Sequence, residues 1–319
     1  MKLVIQIPCL NEEKYLPVTL KDLPKSIKGI DEIEVLVIDD GSEDRTSAVA
    51  EEFGVARVVR LEVTKGLANA FTTGLSEALD MGADIIVNTD ADNQYCAADI
   101  EKLVEPILNN RADIVIGARP VAEIKSFSFL KKCLQKLGSK VVRLLSSTTV
   151  KDAPSGFRAF SKNAALQLNV FDKYSYTMET IIQAQAKGLT IASVDISVNP
   201  EMRKSRLFKN MFIYVKHSLF TILRMFIVYR PFRFFAFCGL LFLLAGLFLS
   251  GRFLYYFMTG DGHGHVQSLI FAAVFLLSGV QIGLIAVLAD LISINRKLLE
   301  DVQKRLRCQD LKKNTDVLK

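Results

Sequence analysis

The chain has 319 residues, half of them hydrophobic, and carries 40 Lys and Arg against 34 Asp and Glu. This composition excludes a disordered or collagen-like chain, and five widely spaced cysteines with three histidines disfavour a disulfide scaffold or a structural zinc site. The net charge of +6 is unevenly placed, because residues 1–202 hold 23 basic and 28 acidic groups. The positive excess flanks an apolar C-terminal block, which disfavours nucleic-acid binding and favours a membrane surface as partner.

The first two hundred residues alternate short apolar runs with amphipathic stretches. The runs predict strands, in chain order, at 2–7, 33–38, 56–61, 85–88 and 114–116. The amphipathic stretches predict helices at 15–23, 46–53, 67–81 and 100–108. Such alternation is typical of an α/β fold with a mostly parallel sheet flanked by helices on both faces.

Two later apolar runs, 232–257 and 266–294, each exceed the roughly 20 residues that a helix needs to cross a membrane. The linker between them, 258–265, is short, polar and glycine-rich. The pattern therefore predicts a hairpin of two transmembrane helices. Gly279 and Gly283 form a GxxxG pattern in the second run, which could be a helix-packing face and could support a homo-oligomer.

Basic segments lie on the outer flanks of this hairpin, at 203–231 and 295–319, whereas the linker has no Lys or Arg. This bias predicts that both flanks, and with them residues 1–202, face the cytoplasm. Residues 203–231 predict amphipathic juxtamembrane helices, although an amphipathic helix docked on the preceding domain would show the same pattern.

Polar motifs follow all five predicted strands. They read PCLNEE from Pro8, DDGSEDRT from Asp39, TKG with Lys65 at its centre, NTDADNQ from Asn88, and GAR ending at Arg119. Because the carboxyl ends of parallel strands meet at one sheet edge, these motifs predict a ligand-binding cleft. Neither GxxxxGK[ST] nor GxGxxG occurs, which argues against a P-loop nucleotidase and a dinucleotide dehydrogenase.

Two pairs of carboxylates stand out within these motifs. Asp90 and Asp92 flank one residue after an apolar run, and could hold a single Mg²⁺ or Mn²⁺ with positions left open for diphosphate oxygens. A solvated loop would show the same pattern. The segment that begins with Asp39 and Asp40 could be a helix cap, with Ser42 or Asp44 capping the helix that follows, or one of its aspartates could accept hydrogen bonds from a nucleobase or ribose, and both can hold.

These motifs, together with DAPSGFR at 152–158, resemble the family-2 glycosyltransferases of the A-type fold. The resemblance is strongest to the polyprenyl-phosphate glycosyltransferases, which include dolichyl-phosphate mannose synthase and bacterial undecaprenyl-phosphate glucosyltransferases. It covers about residues 1–230 and implies a nucleotide-diphospho-sugar transferase fold in a catalytic domain at 1–202.

The activity implied by this resemblance is metal-dependent, inverting transfer of a sugar from a UDP- or GDP-linked donor to a polyprenyl phosphate such as undecaprenyl phosphate. The product would form on the cytoplasmic face of a bacterial or archaeal plasma membrane. A processive polysaccharide synthase is disfavoured, because the chain has no Trp and hence no QxxRW motif. A nucleotide-sugar-binding scaffold, or a transferase to another membrane acceptor, stays open.

The resemblance also implies roles for individual residues. The implied catalytic residues are Asp90, Asp92, Asp152, Arg158 and Glu179. The implied nucleotide-binding residues are Pro8, Leu10, Asn11, Glu12, Asp39, Asp40, Lys65, Gly66, Arg203 and Arg206. The implied contacts of the acceptor phosphate are Arg119, Lys131, Lys132, Arg158 and Ser205, and the implied metal ligands are Asp90, Asp92 and Gln94.

Structural explanations stay open for four of these residues. Arg119 and Arg158 could form surface ion pairs, and Glu179 could lie in the first turn of a helix, where the helix dipole favours an acidic residue. Asp152 could be a turn residue before Pro154, could orient the acceptor, or could act as a base.

Overall fold

The computed structural model describes residues 1–120, 150–170, 176–200, 202, 220, 223–224, 227–260 and 265–317. The chain divides into two compact units, one formed by Met1–Ile222 with Gln303–Lys319 and the other by Leu223–Val302. Several predictions lie outside the described residues: those at Lys131, Lys132, Arg203, Ser205 and Arg206, and most of the juxtamembrane helices predicted at 203–231.

A seven-stranded sheet forms the centre of the first unit. Its strands are β1 (Lys2–Cys9), β2 (Glu32–Asp39), β3 (Arg57–Arg60), β4 (Ile85–Asn88), β5 (Ile114–Ala118), β6 (Arg158–Ser161) and β7 (Ile191–Asp195). The helices between them are α1 (Leu16–Asp22), α2 (Thr46–Glu52), α3 (Leu67–Asp80), α4 (Ile100–Leu108), α5 (Lys162–Gln167) and α6 (Thr177–Ala186). A short 3-10 helix, Ala97–Asp99, precedes α4.

The strand order is β3-β2-β1-β4-β6-β5-β7, and all neighbouring strands run parallel except β6, which is antiparallel to both β4 and β5. The predicted mostly parallel sheet with flanking helices is therefore confirmed. The antiparallel direction of β6 has a consequence for the site. Arg158, the first residue of β6, pairs with Asn88 and Ile116 near the carboxyl ends of β4 and β5.

Side chains on the central strands point alternately to two hydrophobic clusters, one on each face of the sheet. Leu3, Ile5 and Ile7 of β1 are fully buried in the cluster that includes α4, whereas Val4 is buried in the cluster that includes Phe71 of α3. Burial of one such side chain stabilises a fold by about 1.5–3 kcal/mol. Helices on both faces follow from this two-sided burial.

The second unit is a helical pair, α7 (Pro231–Met258) and α8, which runs over Val266–Val317 and so continues into the first unit. Both helices are long and apolar enough to cross a membrane by length and composition. Only 11% and 17% of their most apolar stretches are buried, which distinguishes them from ordinary core helices. Gly260, at φ +86°, lies two residues past the end of α7, in a conformation that favours glycine.

Small residues allow α7 and α8 to approach closely. An added Cβ at Gly279 would lie 2.7 Å from Cγ of Leu243, and one at Gly246 would lie 2.7 Å from Cγ of Leu276. Gly279 of the predicted GxxxG face thus packs within the hairpin, whereas a Cβ at Gly283 would meet open space. A homo-oligomer stays a prediction.

Helix α8 continues well past the apolar run that predicted it. Residues 284–317 contain no glycine or proline, so nothing in the local sequence ends the helix. An ion pair one turn apart, Arg296 Nε to Glu300 Oε1 at 3.4 Å, lies in this extension.

The end of α8 belongs to the first unit and docks on α5. Cys308 and Leu311 pack against the hydrophobic cluster on that face of the sheet. Nη1 of Arg307 donates to the carbonyl oxygens of Leu166, at 3.4 Å, and Leu168, at 3.3 Å. These carbonyls belong to the C-terminal end of α5, where a cation compensates both the unpaired acceptors and the helix dipole.

We expect Arg307→Ala to lower the free energy of unfolding of the first unit by about 1 kcal/mol, because the end of α5 loses its cationic cap. The measurement is the thermal unfolding midpoint of the purified chain in detergent. Arg305→Ala, at an exposed arginine of the same helix, is the matched control and should shift the midpoint less. Equal shifts for the two variants would contradict the capping role.

Candidate active site

The five predicted polar loops lie at one edge of the sheet, at the carboxyl ends of β1, β2, β3, β4 and β5. The start of β6 joins them, because an antiparallel strand begins at the edge where its parallel neighbours end. Two groups of side chains can be described there, one around Asp40 and the other around Asp90.

The Asp40 carboxylate joins two of the loops. Its Oδ1 accepts a hydrogen bond from the amide of Lys65, and its Oδ2 accepts one from the amide of Gly66, both at 2.8 Å. Asp40 is 3% exposed and lies just before the first turn of α3. Gly66 adopts φ +94°, a backbone conformation that favours glycine. The structure thus brings together Asp40, Lys65 and Gly66 of the predicted set, and the Asp40 carboxylate holds the backbone amides of the other two.

The loop after β1 interlocks with the loop after β2. The amide of Asn11 donates to Oγ of Ser42 at 2.9 Å, and Oδ1 of Asn11 accepts from the amide of Glu43 at 2.8 Å. The amide of Glu12 donates to Oγ1 of Thr46, at 2.9 Å. Asn11 adopts φ +55°, which an Asn tolerates better than most residues.

The other members of the predicted nucleotide set differ in exposure. Pro8 is buried within β1, and Asp39 is fully buried. The Asp39 carboxylate accepts from the amide of Ser42 at 2.8 Å and from the hydroxyl of Ser47. Asp39 therefore stabilises the loop after β2, whereas Oδ1 of Asp44 accepts from the amide of Thr46, the first residue of α2, at 3.0 Å. Leu10, 39% exposed, presents an apolar surface at this edge of the sheet.

Asp90 and Asp92 lie partly exposed on the loop after β4, and Oδ1 of Asp92 accepts from the amide of Gln94 at 3.3 Å. Among the described residues, no group of three or more His, Cys, Asp or Glu could hold a metal ion by itself. Two carboxylates nonetheless suit Mg²⁺ or Mn²⁺, because these ions prefer oxygen ligands and commonly complete their coordination with water and substrate phosphate. The residues present therefore fit a metal shared with a phosphorylated substrate.

Gly156 of the SGFR motif lies against the Asp90 carboxylate. An added Cβ at Gly156 would lie 3.2 Å from Oδ1 of Asp90 and 3.0 Å from the hydroxyl oxygen of Tyr176. The amide of Gly156 donates to the hydroxyl oxygen of Tyr95 at 3.1 Å. Its carbonyl accepts from Nδ2 of Asn88 at 2.9 Å and from the hydroxyl of Tyr176 at 3.2 Å.

Arg119 and Asp152 form a buried, two-pronged ion pair. Nε of Arg119 lies 2.7 Å from Oδ2 of Asp152, and its Nη2 lies 3.2 Å from Oδ1. The side chains are 9% and 2% exposed, so the surface alternative for Arg119 is wrong. Burial lowers the pKa of Arg119, but Tyr95, Asp152 and Asp90 outweigh it and raise that pKa above its ordinary value. Arg119 therefore stays protonated in its pair with Asp152.

Arg158 requires a correction, because the structure contradicts both a direct contact with the acceptor phosphate and a surface ion pair. Its side chain is fully buried. Burial, the largest effect, lowers its pKa to about 10, so the guanidinium stays protonated at neutral pH. Nε donates to the carbonyl of Ser155 at 2.8 Å, and Nη2 donates to that of Ala153 at 2.6 Å.

The remaining contacts of Arg158 reach the first turn of α6. Nη1 donates to the carbonyl of Thr177 at 2.8 Å and to Oγ1 of Thr180 at 2.7 Å. A phosphate could reach this guanidinium only if these buried hydrogen bonds broke. Arg158 is therefore placed to fix the loop that carries Gly156, and not to face a ligand.

Glu179 is also fully buried, in the first turn of α6, where Nε2 of Gln183 donates to its Oε1 at 3.2 Å. This position supports the alternative that the helix dipole favours an acidic side chain there. Contact of Glu179 with a sugar stays a prediction.

The chain beyond β7 lies along the loop that carries the carboxylate pair. Tyr95 and Val198 form an antiparallel bridge, and the amide of Asn199 donates to the carbonyl of Gln94 at 2.9 Å. Nδ2 of Asn199 donates to the carbonyl of Asn93 at 3.0 Å. Asn199 was not predicted as a site residue, and nothing in its local sequence indicates this contact.

Sequence reasoning gave no role to Tyr95 or Tyr176, and none to Asn88 beyond its place at the start of the NTDADNQ motif. For Asn88 a signal was available, because an amide at the end of the apolar run IIVN must find partners if the strand is buried. The two tyrosines carry no comparable signal, since an aromatic residue next to a polar loop can equally face solvent.

Comparisons with known proteins show the family of the chain. A model of the family described as Glycosyl transferase family 2 matches residues 4–168. The UDP-N-acetylglucosamine–dolichyl-phosphate N-acetylglucosaminyltransferase of Methanococcus voltae is 32% identical over 212 residues, which cover 60% of this chain and 82% of that protein. The undecaprenyl-phosphate mannosyltransferase of Micrococcus luteus is 28% identical over 218 residues, which cover 65% of this chain and 88% of that protein.

A solved structure is similar in fold. Glucosyl-3-phosphoglycerate synthase from Mycobacterium tuberculosis, in complex with Mn²⁺, UDP and glucosyl-3-phosphoglycerate, superimposes with a TM-score of 0.56 and 20% sequence identity. The match covers 72% of this chain and 79% of that one. At this identity the similarity shows the fold alone.

We expect Arg158→Lys to lower the free energy of unfolding by about 2–4 kcal/mol, because lysine cannot reach all the buried carbonyls that the guanidinium satisfies. The unfolding midpoint of the purified chain measures this. Arg111→Lys, at an exposed arginine after α4, should leave the midpoint unchanged. If Arg158→Lys were as stable as the wild type but bound the acceptor more weakly, the result would support a direct contact between Arg158 and the acceptor phosphate.

Proposed function

Because the chain belongs to glycosyl transferase family 2, we propose that it transfers a sugar from a nucleotide-sugar to a polyprenyl phosphate. The acceptor class is supported by relatives whose names state dolichyl-phosphate or undecaprenyl-phosphate acceptors. The observation that carries the proposal is that the Asp90 carboxylate lies against Gly156, on the same loop as Asp152, which pairs with Arg119. A group suited to a leaving diphosphate and a group suited to an attacking phosphate are thus connected through one loop.

The donor occupies, in this proposal, the cleft edge formed by the loops after β1, β2 and β3. Leu10 offers an apolar surface for the nucleobase, and Asn11 and Glu12 line the same loop. Asp40 acts by fixing the backbone of Lys65 and Gly66. The donor sugar and base stay open between UDP-glucose, UDP-N-acetylhexosamine and GDP-mannose.

Asp90 and Asp92, with Gln94 beside them, would hold Mg²⁺ or Mn²⁺, and the similar fold solved with Mn²⁺ and UDP supports this choice of ions. Such an ion stabilises the negative charge that develops on a departing nucleoside diphosphate. The chain's own contribution is to orient two carboxylates at the end of β4 and to keep Arg119 nearby.

The acceptor needs little activation. A phosphate monoester has a second pKa near about 6, so it is mostly a dianion at neutral pH. One of its oxygens attacks the anomeric carbon of the sugar, the bond from that carbon to the diphosphate oxygen breaks, and the nucleoside diphosphate leaves. In-line attack of this kind inverts the anomeric configuration. All three histidines lie outside residues 1–202, which is consistent with a reaction that relies on positioning and charge.

Arg119 aligns the attacking phosphate, and Asp152 holds the Arg119 guanidinium in place. Both oxygens of Asp152 accept from Arg119, which favours an orienting role for Asp152 over that of a base. Arg158 acts behind them by fixing the loop between Asp152 and Gly156.

The predicted contacts of Arg203, Ser205 and Arg206 with the phosphates gain support from Asn199. Asn199 is tied to the loop of the carboxylate pair, and Arg203 follows it by four residues. The proposal therefore keeps Arg203, Ser205 and Arg206 as partners of the diphosphate on their position in the sequence alone.

A membrane location completes the proposal. The two apolar helices would anchor the catalytic domain beside its lipid acceptor, and the basic flanks would put that domain on the cytoplasmic side. Each Lys or Arg near an anionic surface contributes about 1 kcal/mol to membrane association.

The test is transfer of radiolabelled sugar by the purified full chain from each of three donors, UDP-glucose, UDP-N-acetylglucosamine and GDP-mannose. Undecaprenyl phosphate and dolichyl phosphate serve as acceptors, with Mg²⁺ or Mn²⁺. We expect a chloroform-extractable, mild-acid-labile product from one donor. Asp92→Asn should reduce the rate at least about 100-fold, because the diphosphate loses a metal ligand.

Asp80→Asn is the matched control, since Asp80 is exposed at the far end of α3 and should not affect the rate. An unchanged rate of sugar transfer in the presence of EDTA would contradict the proposed requirement for a divalent metal ion. A folded protein that binds UDP or GDP but makes no lipid-linked product from any donor would contradict a polyprenyl phosphate as the acceptor. That result would favour the alternative of a nucleotide-sugar-binding scaffold.

A further inference from the structure

We propose that Asn88, Tyr95 and Tyr176 are positioning residues that hold the backbone of Gly156 against the Asp90 carboxylate, and so fix the orientation of Asp90 towards the divalent cation. This inference rests on the proposed function, because it concerns the same metal and diphosphate. It assigns a task to three buried side chains to which the sequence analysis gave no role.

The first step is that both hydrogen-bonding groups of Gly156 are fixed. The amide donates to the hydroxyl oxygen of Tyr95, and the carbonyl accepts from Asn88 and from the hydroxyl of Tyr176. Nδ2 of Asn88 also donates to the hydroxyl oxygen of Tyr176, at 2.8 Å. Three side chains from three parts of the chain therefore determine where this glycine lies.

The second step is that the three side chains are themselves immobilised. Asn88 and Tyr176 are fully buried, and Tyr95 is 4% exposed. The ring of Tyr176 stacks on Phe71 with centroids 3.8 Å apart, and the ring of Tyr95 stacks on Phe157 at 4.9 Å. Oδ1 of Asn88 accepts from Nε2 of Gln6 at 2.9 Å. A support of this rigidity can hold a neighbour in one orientation.

The third step is contact between Gly156 and Asp90. A Cβ at this position would meet both Asp90 oxygens, at 3.2 and 3.4 Å, and the Tyr176 hydroxyl at 3.0 Å. The backbone of Gly156 thus lies close to the carboxylate, and a side chain at this position would crowd both the carboxylate and the Tyr176 hydroxyl.

The hydroxyls stay protonated in this setting. Burial, with the Asp90 charge as a second cause, raises the pKa of Tyr95 and of Tyr176 above the ordinary value. The Tyr176 hydroxyl therefore remains a hydrogen-bond donor to the Gly156 carbonyl across the physiological pH range.

Tyr176→Phe and Tyr95→Phe test the proposal, because each removes a hydroxyl and keeps the stacked ring. The probe is Mn²⁺ with UDP, and in parallel with GDP, added to the purified full chain. The electron paramagnetic resonance signal of free Mn²⁺ then reports binding without turnover. We expect each variant to bind Mn²⁺ at least ~10-fold more weakly than wild type, as loss of an outer-shell partner typically does. Binding of the nucleotide without metal should be unchanged.

Gly156→Ala is a third variant and should weaken Mn²⁺ binding by a similar factor, because its methyl group displaces the Asp90 carboxylate. Tyr255→Phe, at an exposed tyrosine of α7, is the matched control for loss of a hydroxyl. Leu75→Ala, in the core on α3, is the control for general destabilisation: it should lower the unfolding midpoint without changing Mn²⁺ affinity.

The outcomes separate this proposal from the one on which it rests. Wild-type affinity in Tyr176→Phe and Tyr95→Phe would overturn the positioning role while leaving the proposed function intact. An equal loss in Leu75→Ala would also overturn it, because the effect would then be one of stability. Absence of Mn²⁺ binding to the wild type with either nucleotide would overturn both.

Discussion

The buried guanidinium of Arg158 connects pieces of chain that would otherwise have no reason to stay together. It ties the carbonyls of the loop before β6 to the first turn of α6, in a place without solvent. A buried charge of this kind is tolerated only when its donors are satisfied, so the loop can adopt few other conformations. That loop carries Asp152 and Gly156, and through them it determines the surroundings of Arg119 and Asp90. The geometry around Asp90 and of the Arg119–Asp152 pair therefore depends on one fully buried residue.

Most strands of the sheet could be predicted from local sequence, and there is a physical reason why β6 and β7 could not. β1, β2 and β4 are apolar runs in the middle of the sheet, where both faces are covered, so their composition alone indicates strands. β6 begins with a charged residue and is four residues long, and its burial depends on partners far away in the chain. Among the described strands β7 pairs with β5 alone, and its half-buried residues lack a clear pattern.

The candidate site divides in the same way. Asp40, Lys65 and Gly66 could be grouped from sequence because each follows a predicted strand, and parallel strands end at one edge. The contacts of Asn88 and Tyr176 with Gly156 could not, because they join residues 68 and 20 positions apart. Arg158 was misread for a related reason. A motif shows that an arginine follows SGF, but the side on which its guanidinium lies depends on the register of β6 between β4 and β5.

The position of Asp40 bears on how the cleft selects among anions. The beginning of a helix usually attracts a phosphate, because unpaired amides and the helix dipole are both positive there. In this fold a carboxylate of the protein already lies just before the first turn of α3, bonded to the amides of Lys65 and Gly66. An incoming diphosphate would find the amides of Lys65 and Gly66 already hydrogen-bonded to Asp40. The positive charge that compensates the diphosphate must therefore come from another group. Under the proposed function, the diphosphate would therefore depend on the divalent cation for its compensating charge.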